Sequence, residues 1–192
     1  MAKSKLRRGF ITQAEDMAAE FRSELGLSDS DPICPFALAD HLAVPIRPIL
    51  QDAGIPEEVR NYFSSEGQNK FSATTLFDGI YAEILLNDSH HRNRQHSSIV
   101  HELAHIILRH PARPPVREDG CRHFDPVLEL EAKELGNIVL VPKPAALRAV
   151  ENFVSHMEAA RFFGVSPSLL TYRIRKSDAV RHAMARRRLQ GR

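Results

Sequence analysis

Residues 99–107 read Ile-Val-His-Glu-Leu-Ala-His-Ile-Ile, with His101 and His105 four residues apart and Glu102 directly after the first histidine. On an α-helix of 3.6 residues per turn, positions four apart lie on one face, one turn above the other. The two imidazoles can therefore reach one metal ion, and Glu102 lies close enough to hold a water molecule bound to that ion. The H-E-x-x-H spacing thus predicts a helix that carries a zinc site and a general base.

Apolar residues flank this motif on nearly every side, which predicts a buried helix. They are Ile99, Val100, Leu103, Ala104, Ile106, Ile107 and Leu108. Histidine and glutamate side chains are costly in an apolar environment unless they are paired or bound to a metal, so the surroundings favour a metal site. The alternative is an amphipathic helix whose polar side chains meet solvent or internal hydrogen bonds.

The composition suits one domain, because the chain has 192 residues, of which 43% are hydrophobic. Only two cysteines occur and no apolar signal segment precedes them, so we expect a reducing, cytoplasmic location. No apolar run approaches the roughly 18 residues of a membrane span. The net charge of +2 indicates no partner, although both ends of the chain are basic.

The pattern of apolar residues, caps and turns predicts an α+β domain: a mostly helical unit packed on a small antiparallel three-stranded sheet, with the H-E-x-x-H motif on a buried helix. Residues 44–50 predict an edge strand, and residues 71–77 and 80–86 predict a hairpin around Asp78-Gly79. Residues 87–98 are a polar approach to the buried helix. Predicted helix starts and stops are the capping box Thr12–Glu15, Gly26, Pro35, Asp125-Pro126, the capping box Ser155–Glu158, Gly164 and Ser166-Pro167.

A catalytic zinc ion needs a third protein ligand beside His101 and His105. His110 lies five residues after His105, about 140° round a helix, so it does not share the ligand face and is expected to be structural or to support a ligand. The predicted helix at 127–141 is the better donor, and it carries Glu129 and Glu131. Glu129 shares a face with small residues that would allow close helix packing, although it could instead pair with Lys133 one turn later.

Residues 157–176 have the spacing of a helix-turn-helix unit. The predicted inward positions are Ala160, Phe163, Val165, Leu169 and Ile174, with Gly164 at the turn. In a DNA-binding protein, Ser168, Thr171 and Arg175 would face a major groove, and the basic C-terminal residues would contact phosphates. The alternative function is therefore a DNA-binding regulator, or a toxin–antitoxin component, with a structural or degenerate zinc site.

The order of these segments resembles the ImmA/IrrE family of zinc metallopeptidases over most of residues 10–175. The matching pieces are Leu25-Gly-Leu27, Val44-Pro-Ile46, Ile84-Leu-Leu-Asn87, residues 94–110, Glu129-Leu-Glu-Ala132, Leu140-Val-Pro142 and Phe162-Phe-Gly-Val-Ser166. The resemblance implies a zinc ion held by His101, His105 and Glu129, with Glu102 as the catalytic base. It also implies a peptidase of narrow specificity.

In that family the third ligand is a glutamate three residues before a small residue. Aligned with this pattern, the third ligand is Glu129 and the small residue is Ala132. The next position, usually Asn or Asp, is Lys133 here, which cannot accept a hydrogen bond from a metal-bound histidine. Glu131 is the fallback ligand. The expected substrate is a partner protein, a helix-turn-helix repressor of a stress response or of a mobile element or phage. Nucleic acid is a less favoured partner.

The resulting division of the chain has four parts. Residues 1–10 are a basic N-terminal tail, 11–150 the zinc metallopeptidase domain, 151–177 a helix-turn-helix-like pair within the same domain, and 178–192 a basic C-terminal tail.

Two further groups of residues receive no specific role. One is the pair Cys121 and His123, because two ligands in a proline-rich loop rarely suffice for a metal. The other is the histidines before the motif, which are His90, His91 and His96.

Overall fold

The computed structural model describes residues 5–111 and 125–190. In chain order its elements are α1 (Phe10–Glu24), α2 (Pro35–His41), β1 (Ile46–Pro48), α3 (Glu57–Ser64), β2 (Ala73–Asp78), β3 (Tyr81–Leu86), α4 (Arg92–Ile107), α5 (Pro126–Leu140), α6 (Lys143–Asn152), α7 (His156–Phe162), α8 (Pro167–Lys176) and α9 (Ala179–Gln190). Helices packed on one small sheet confirm the predicted α+β class. Within the described ranges, no helix is long and apolar enough to cross a membrane.

The sheet has the strand order β1-β3-β2 and is mixed, so the prediction of an antiparallel sheet was wrong for one pair. β2 and β3 form the predicted hairpin and are antiparallel. β1 runs parallel to β3, with Ile46 opposite Ile84, because it reaches the sheet from α2 and not through a hairpin. Because β3 lies in the middle of this order, β2 is an edge strand.

The hairpin turn lies one residue later than predicted. Asp78 pairs with Tyr81, so Gly79 and Ile80 form the two-residue loop. Gly79 has φ of 60°. A positive φ at the first loop position is the feature for which two-residue hairpins select glycine.

Several helix ends agree with the sequence. The side chains of Asp125, Ser155 and Ser166 accept hydrogen bonds from the first turns of α5, α7 and α8. Gly26, with φ of 69°, follows the end of α1 as predicted.

Two other predictions of helix boundaries were wrong. The capping box Thr12–Glu15 does not form, because α1 begins earlier, at Phe10, and places these residues inside the helix. The polar approach to the motif is itself helical from Arg92, since the His91 side chain caps α4 by accepting from the Asn93 N–H.

The α7–α8 pair belongs to the main core. Ala160, Phe163, Val165 and Ile174 are buried in the same hydrophobic cluster as the residues of α4 and α5. The segment predicted as a basic C-terminal tail forms α9 instead, which packs on α6 through buried Ala179 and Ala183. The predicted domain boundaries stay predictions.

The packing of α4 against α5 forms the most extensive helix–helix contact in the described fold. Gly136 on α5 faces the backbone of Val100 on α4, and a Cβ atom added there would lie 3.3 Å from the Val100 carbonyl oxygen and from its Cγ2. Ala132, one turn earlier on α5, is fully buried. Small residues on this face therefore let the two helix axes approach closely.

Two buried arginines, whose burial the sequence pattern does not indicate, hold the C-terminal end of α5. Arg22 of α1 donates to the carbonyls of Val139 and Ala18, at 2.9 and 3.0 Å. Arg173 of α8 donates to the Val141 carbonyl at 2.8 Å and pairs with Glu15 at 2.7 Å. The bonds to Val139 and Val141 satisfy carbonyls that the end of α5 leaves without intrahelical partners.

We expect Gly136→Val to lower the free energy of unfolding by about 1–3 kcal/mol, because two extra methyl groups and a Cβ would force α4 and α5 apart. Urea unfolding followed by circular dichroism measures the change. Ala185→Val, at an exposed site on α9, controls for the effect of valine on a helix. A stability loss no larger than that of the control would contradict the close approach.

Arg22→Met should cost about 2–4 kcal/mol, because it leaves buried carbonyl groups without donors. The same unfolding experiment tests it. Arg8→Met, which removes an exposed arginine, should change stability by less than about 0.5 kcal/mol. Equal effects of the two substitutions would show that the buried guanidinium does not hold the end of α5.

Candidate metal centre

α4 presents the motif at the boundary between the core and a cleft. Its inward face buries Ile99, Val100 and Leu103, which fixes the rotation of the helix. His101 and His105 then lie half-buried on the adjacent face, with their Nε2 atoms 3.2 Å apart. The predicted sharing of one face by the two histidines is confirmed.

Glu129, in the first turn of α5, reaches both histidines. One carboxylate oxygen lies 3.2 Å from His101 Nε2 and the other 3.7 Å from His105 Nε2. In the described part of the chain, these three residues form the group of His, Cys, Asp and Glu side chains with spacing suited to a metal ion. The alternative pairing of Glu129 with Lys133 does not form, since no ion pair joins these two side chains within 4 Å.

The donor set fits a divalent metal such as zinc. Four ligands placed tetrahedrally at about 2.0–2.1 Å from zinc lie about 3.3 Å from one another, close to the separations found here. Two imidazole nitrogens and one carboxylate leave a fourth position for water, which is the composition of a catalytic and not a closed structural site.

Glu131, the fallback ligand, lies elsewhere. Its carboxylate is 3.4 Å from His110 Nε2 and 3.5 Å from Arg7 Nε. His110 in turn places its Nδ1 2.9 Å from the Nδ1 of His105. Arg109, with φ of 52°, reverses the chain just after α4 and brings His110 back against the helix. His110 therefore contacts the ring nitrogen of His105 that faces away from Glu129, as a group that orients a ligand does.

Glu102 points into the cleft and has a partner that sequence reasoning missed. The Thr75 hydroxyl donates to Glu102 Oε2 at 2.8 Å. Thr75 is a buried residue of the edge strand β2, so the sheet holds the carboxylate in place beside the histidines. Nothing in the sequence around Thr75 indicates this contact, because it depends on how β2 packs across α4.

The pKa values of the two histidines are shifted in opposite directions. Burial would lower the pKa of His101, but the hydrogen bond to Glu129 and the nearby negative charges of Glu102 and Glu129 outweigh it and raise that pKa. Burial, reinforced by the charge of His101, lowers the pKa of His105 to about 4. His105 is therefore neutral at pH 7, which is the form that binds metals.

The two carboxylates are shifted in opposite directions. Burial raises the pKa of Glu102 more than the hydrogen bond from Thr75 lowers it. The hydrogen bond from His101 lowers the pKa of Glu129, so this carboxylate is ionised at neutral pH. One group is thereby suited to bind a cation, and the other to exchange a proton.

A cleft of about 890 Å³ opens over these residues, between β2 on one side and α4 and α5 on the other. His90 and His96 are buried and lie outside its lining, and His91 caps α4. The Cys121 and His123 pair lies outside the described residues. The arrangement fits a hydrolytic centre: three side chains with the spacing of a metal site, a carboxylate beside them, and an open cleft.

Comparison with known proteins identifies the family. The family model described as the IrrE N-terminal-like domain, peptidase M78, matches residues 52–175, which include every residue of the centre. No curated protein matches the chain. Because the matched region is well over half of the sequence, the resemblance to the ImmA/IrrE family is confirmed, and the chain belongs to the M78 family of metallopeptidases.

Proposed function

We propose that this chain is a zinc-dependent endopeptidase of narrow specificity, with His101, His105 and Glu129 as metal ligands and Glu102 as the general base. The observation that carries the proposal is the convergence of three side chains with metal-site spacing from two helices, with the half-buried carboxylate of Glu102 beside them. Bound zinc supplies Lewis acidity there: it lowers the pKa of its water to about 7 and polarises the scissile carbonyl.

Glu102 accepts a proton from the attacking water and passes it to the leaving amine. Thr75 keeps the carboxylate of Glu102 directed into the cleft by donating to one of its oxygens, which leaves the other oxygen available for the proton. The raised pKa of Glu102 suits this role, because a base must release its proton again within the same cycle.

The outer edge of β2, which pairs with no further strand of the described residues, orients the peptide. The Asn87 N–H donates to the Ser72 carbonyl, and hydrogen-bonded pairs then alternate along the hairpin. Ala73, Thr75 and Phe77 therefore direct their backbone N–H and C=O groups away from β3, toward the cleft. A substrate segment that adds to this edge would lie extended past Glu102.

The substrate we propose is a partner protein, a helix-turn-helix repressor whose cleavage activates genes of a stress response or of a mobile element. Its basis is the family membership together with an open cleft bordered by a strand edge, which selects an extended segment of a protein. The α7–α8 pair lies in the core of the same unit, which supports a structural role for it in preference to DNA binding.

Glu102→Gln should reduce kcat for cleavage of the partner repressor by about 10²- to 10⁴-fold while zinc content is unchanged, because the amide cannot accept the proton. Cleavage is followed by gel electrophoresis and zinc by atomic absorption. Glu20→Gln, on the exposed face of α1, is the matched control and should behave as wild type. Wild-type cleavage by Glu102→Gln would refute the assignment of the base.

Glu129→Gln should weaken zinc binding by more than about 100-fold, whereas Glu131→Gln, two residues away, should change it by about tenfold or less, as expected of a group outside the ligand set. Competition against a chromophoric chelator measures both affinities. The reverse order of the two effects would move the third ligand to Glu131.

A further inference from the structure

One end of the cleft carries two positive side chains from different helices. Arg94 lies in the first turn of α4, seven residues before His101, and Lys133 lies one turn after Glu129 on α5. Both line the cleft. Gly136 packs against Val100, which precedes His101, so from Glu129 onward α5 runs along α4 in the direction in which Arg94 lies. We call these two residues the cationic end.

No carboxylate of the described residues neutralises the cationic end at ion-pair distance. Arg94 donates to the Asn69 side-chain oxygen and to the Ser72 hydroxyl, both at 2.9 Å, and both acceptors are neutral. These bonds fix the guanidinium against the loop before β2. Lys133 is exposed and lines the cleft one turn after Glu129, which places its side chain beside the centre.

Among the described residues, the acidic groups that line the cleft are all engaged elsewhere. Glu129 contacts the two histidines, and Glu102 accepts from Thr75. Asp125 caps α5 at the opposite end of the cleft. The cationic end therefore presents positive charge to whatever lies in the groove, and a low-dielectric groove strengthens that field.

Resting on the proposed function, we propose that the cationic end is a specificity subsite that binds an acidic side chain of the substrate, so the substrates are segments with Asp or Glu near the scissile bond. Seven helical residues span about 10 Å along α4, and an extended peptide advances about 3.3 Å per residue. The acidic residue consequently lies two or three positions from the scissile bond, within reach of Lys133 or Arg94.

The test is a binding titration that needs no cleavage. Acetyl-triglutamate amide is added to the zinc-loaded, isotope-labelled protein and followed by nuclear magnetic resonance, with acetyl-triglutamine amide as the neutral probe. We expect saturable shifts at Arg94 and Lys133 with triglutamate alone. Arg94→Gln and Lys133→Gln should each weaken binding about three- to fivefold, as for a partly exposed ion pair, and 0.5 M salt should weaken it further.

Arg161→Gln, which removes an exposed arginine of α7, is the matched control and should leave the affinity unchanged. Equal binding of triglutamine, or wild-type affinity in the Arg94→Gln/Lys133→Gln double variant, would overturn the subsite, since binding through zinc alone would not depend on these cations. A wild-type chain that cleaves no peptide would instead count against the proposed function, and the result of the binding titration would still stand.

Discussion

The close approach of α4 and α5 at Gly136 is the constraint on which the rest of the site depends. His101 and His105 are fixed by α4 alone, because their four-residue spacing places them on one face. Glu129 belongs to another helix, and its carboxylate reaches them only because no side chain separates Gly136 from the Val100 backbone. The close packing of α4 and α5 also places Lys133 in the lining of the cleft. The candidate metal centre thus depends on the helix pair and not on the H-E-x-x-H motif alone.

The buried arginines extend this constraint to the ends of the chain. Arg22 from α1 and Arg173 from α8 both donate to carbonyls at the end of α5. Glu15 of α1 also accepts from Arg173 and from the Lys143 N–H at the start of α6. Segments on either side of the motif therefore determine where α5 lies. This explains why α7 and α8 share the main core although they contribute no residue to the centre.

Local signals in the sequence predicted much of this structure. The H-E-x-x-H spacing, the Asp125-Pro126 helix start and the small residues of α5 are each readable within one or two turns of chain. Some failed predictions were local, since two helix starts and the hairpin turn were misplaced by a few residues. The others concerned contacts between distant segments. The direction of β1 depends on its approach from α2, and the contact of Thr75 with Glu102 depends on the position of β2 across α4. The contact of Glu131 with His110 depends on the chain reversal at Arg109, which the sequence pattern does not show.

The central claim, that two helices assemble one metal site, is tested most directly by anomalous X-ray scattering at the zinc edge from crystals grown with zinc. The account predicts a single strong peak in the cleft, about 2 Å from His101 Nε2, His105 Nε2 and a carboxylate oxygen of Glu129. A peak bound by the histidines but not by Glu129, or a peak located elsewhere in the molecule, would contradict it.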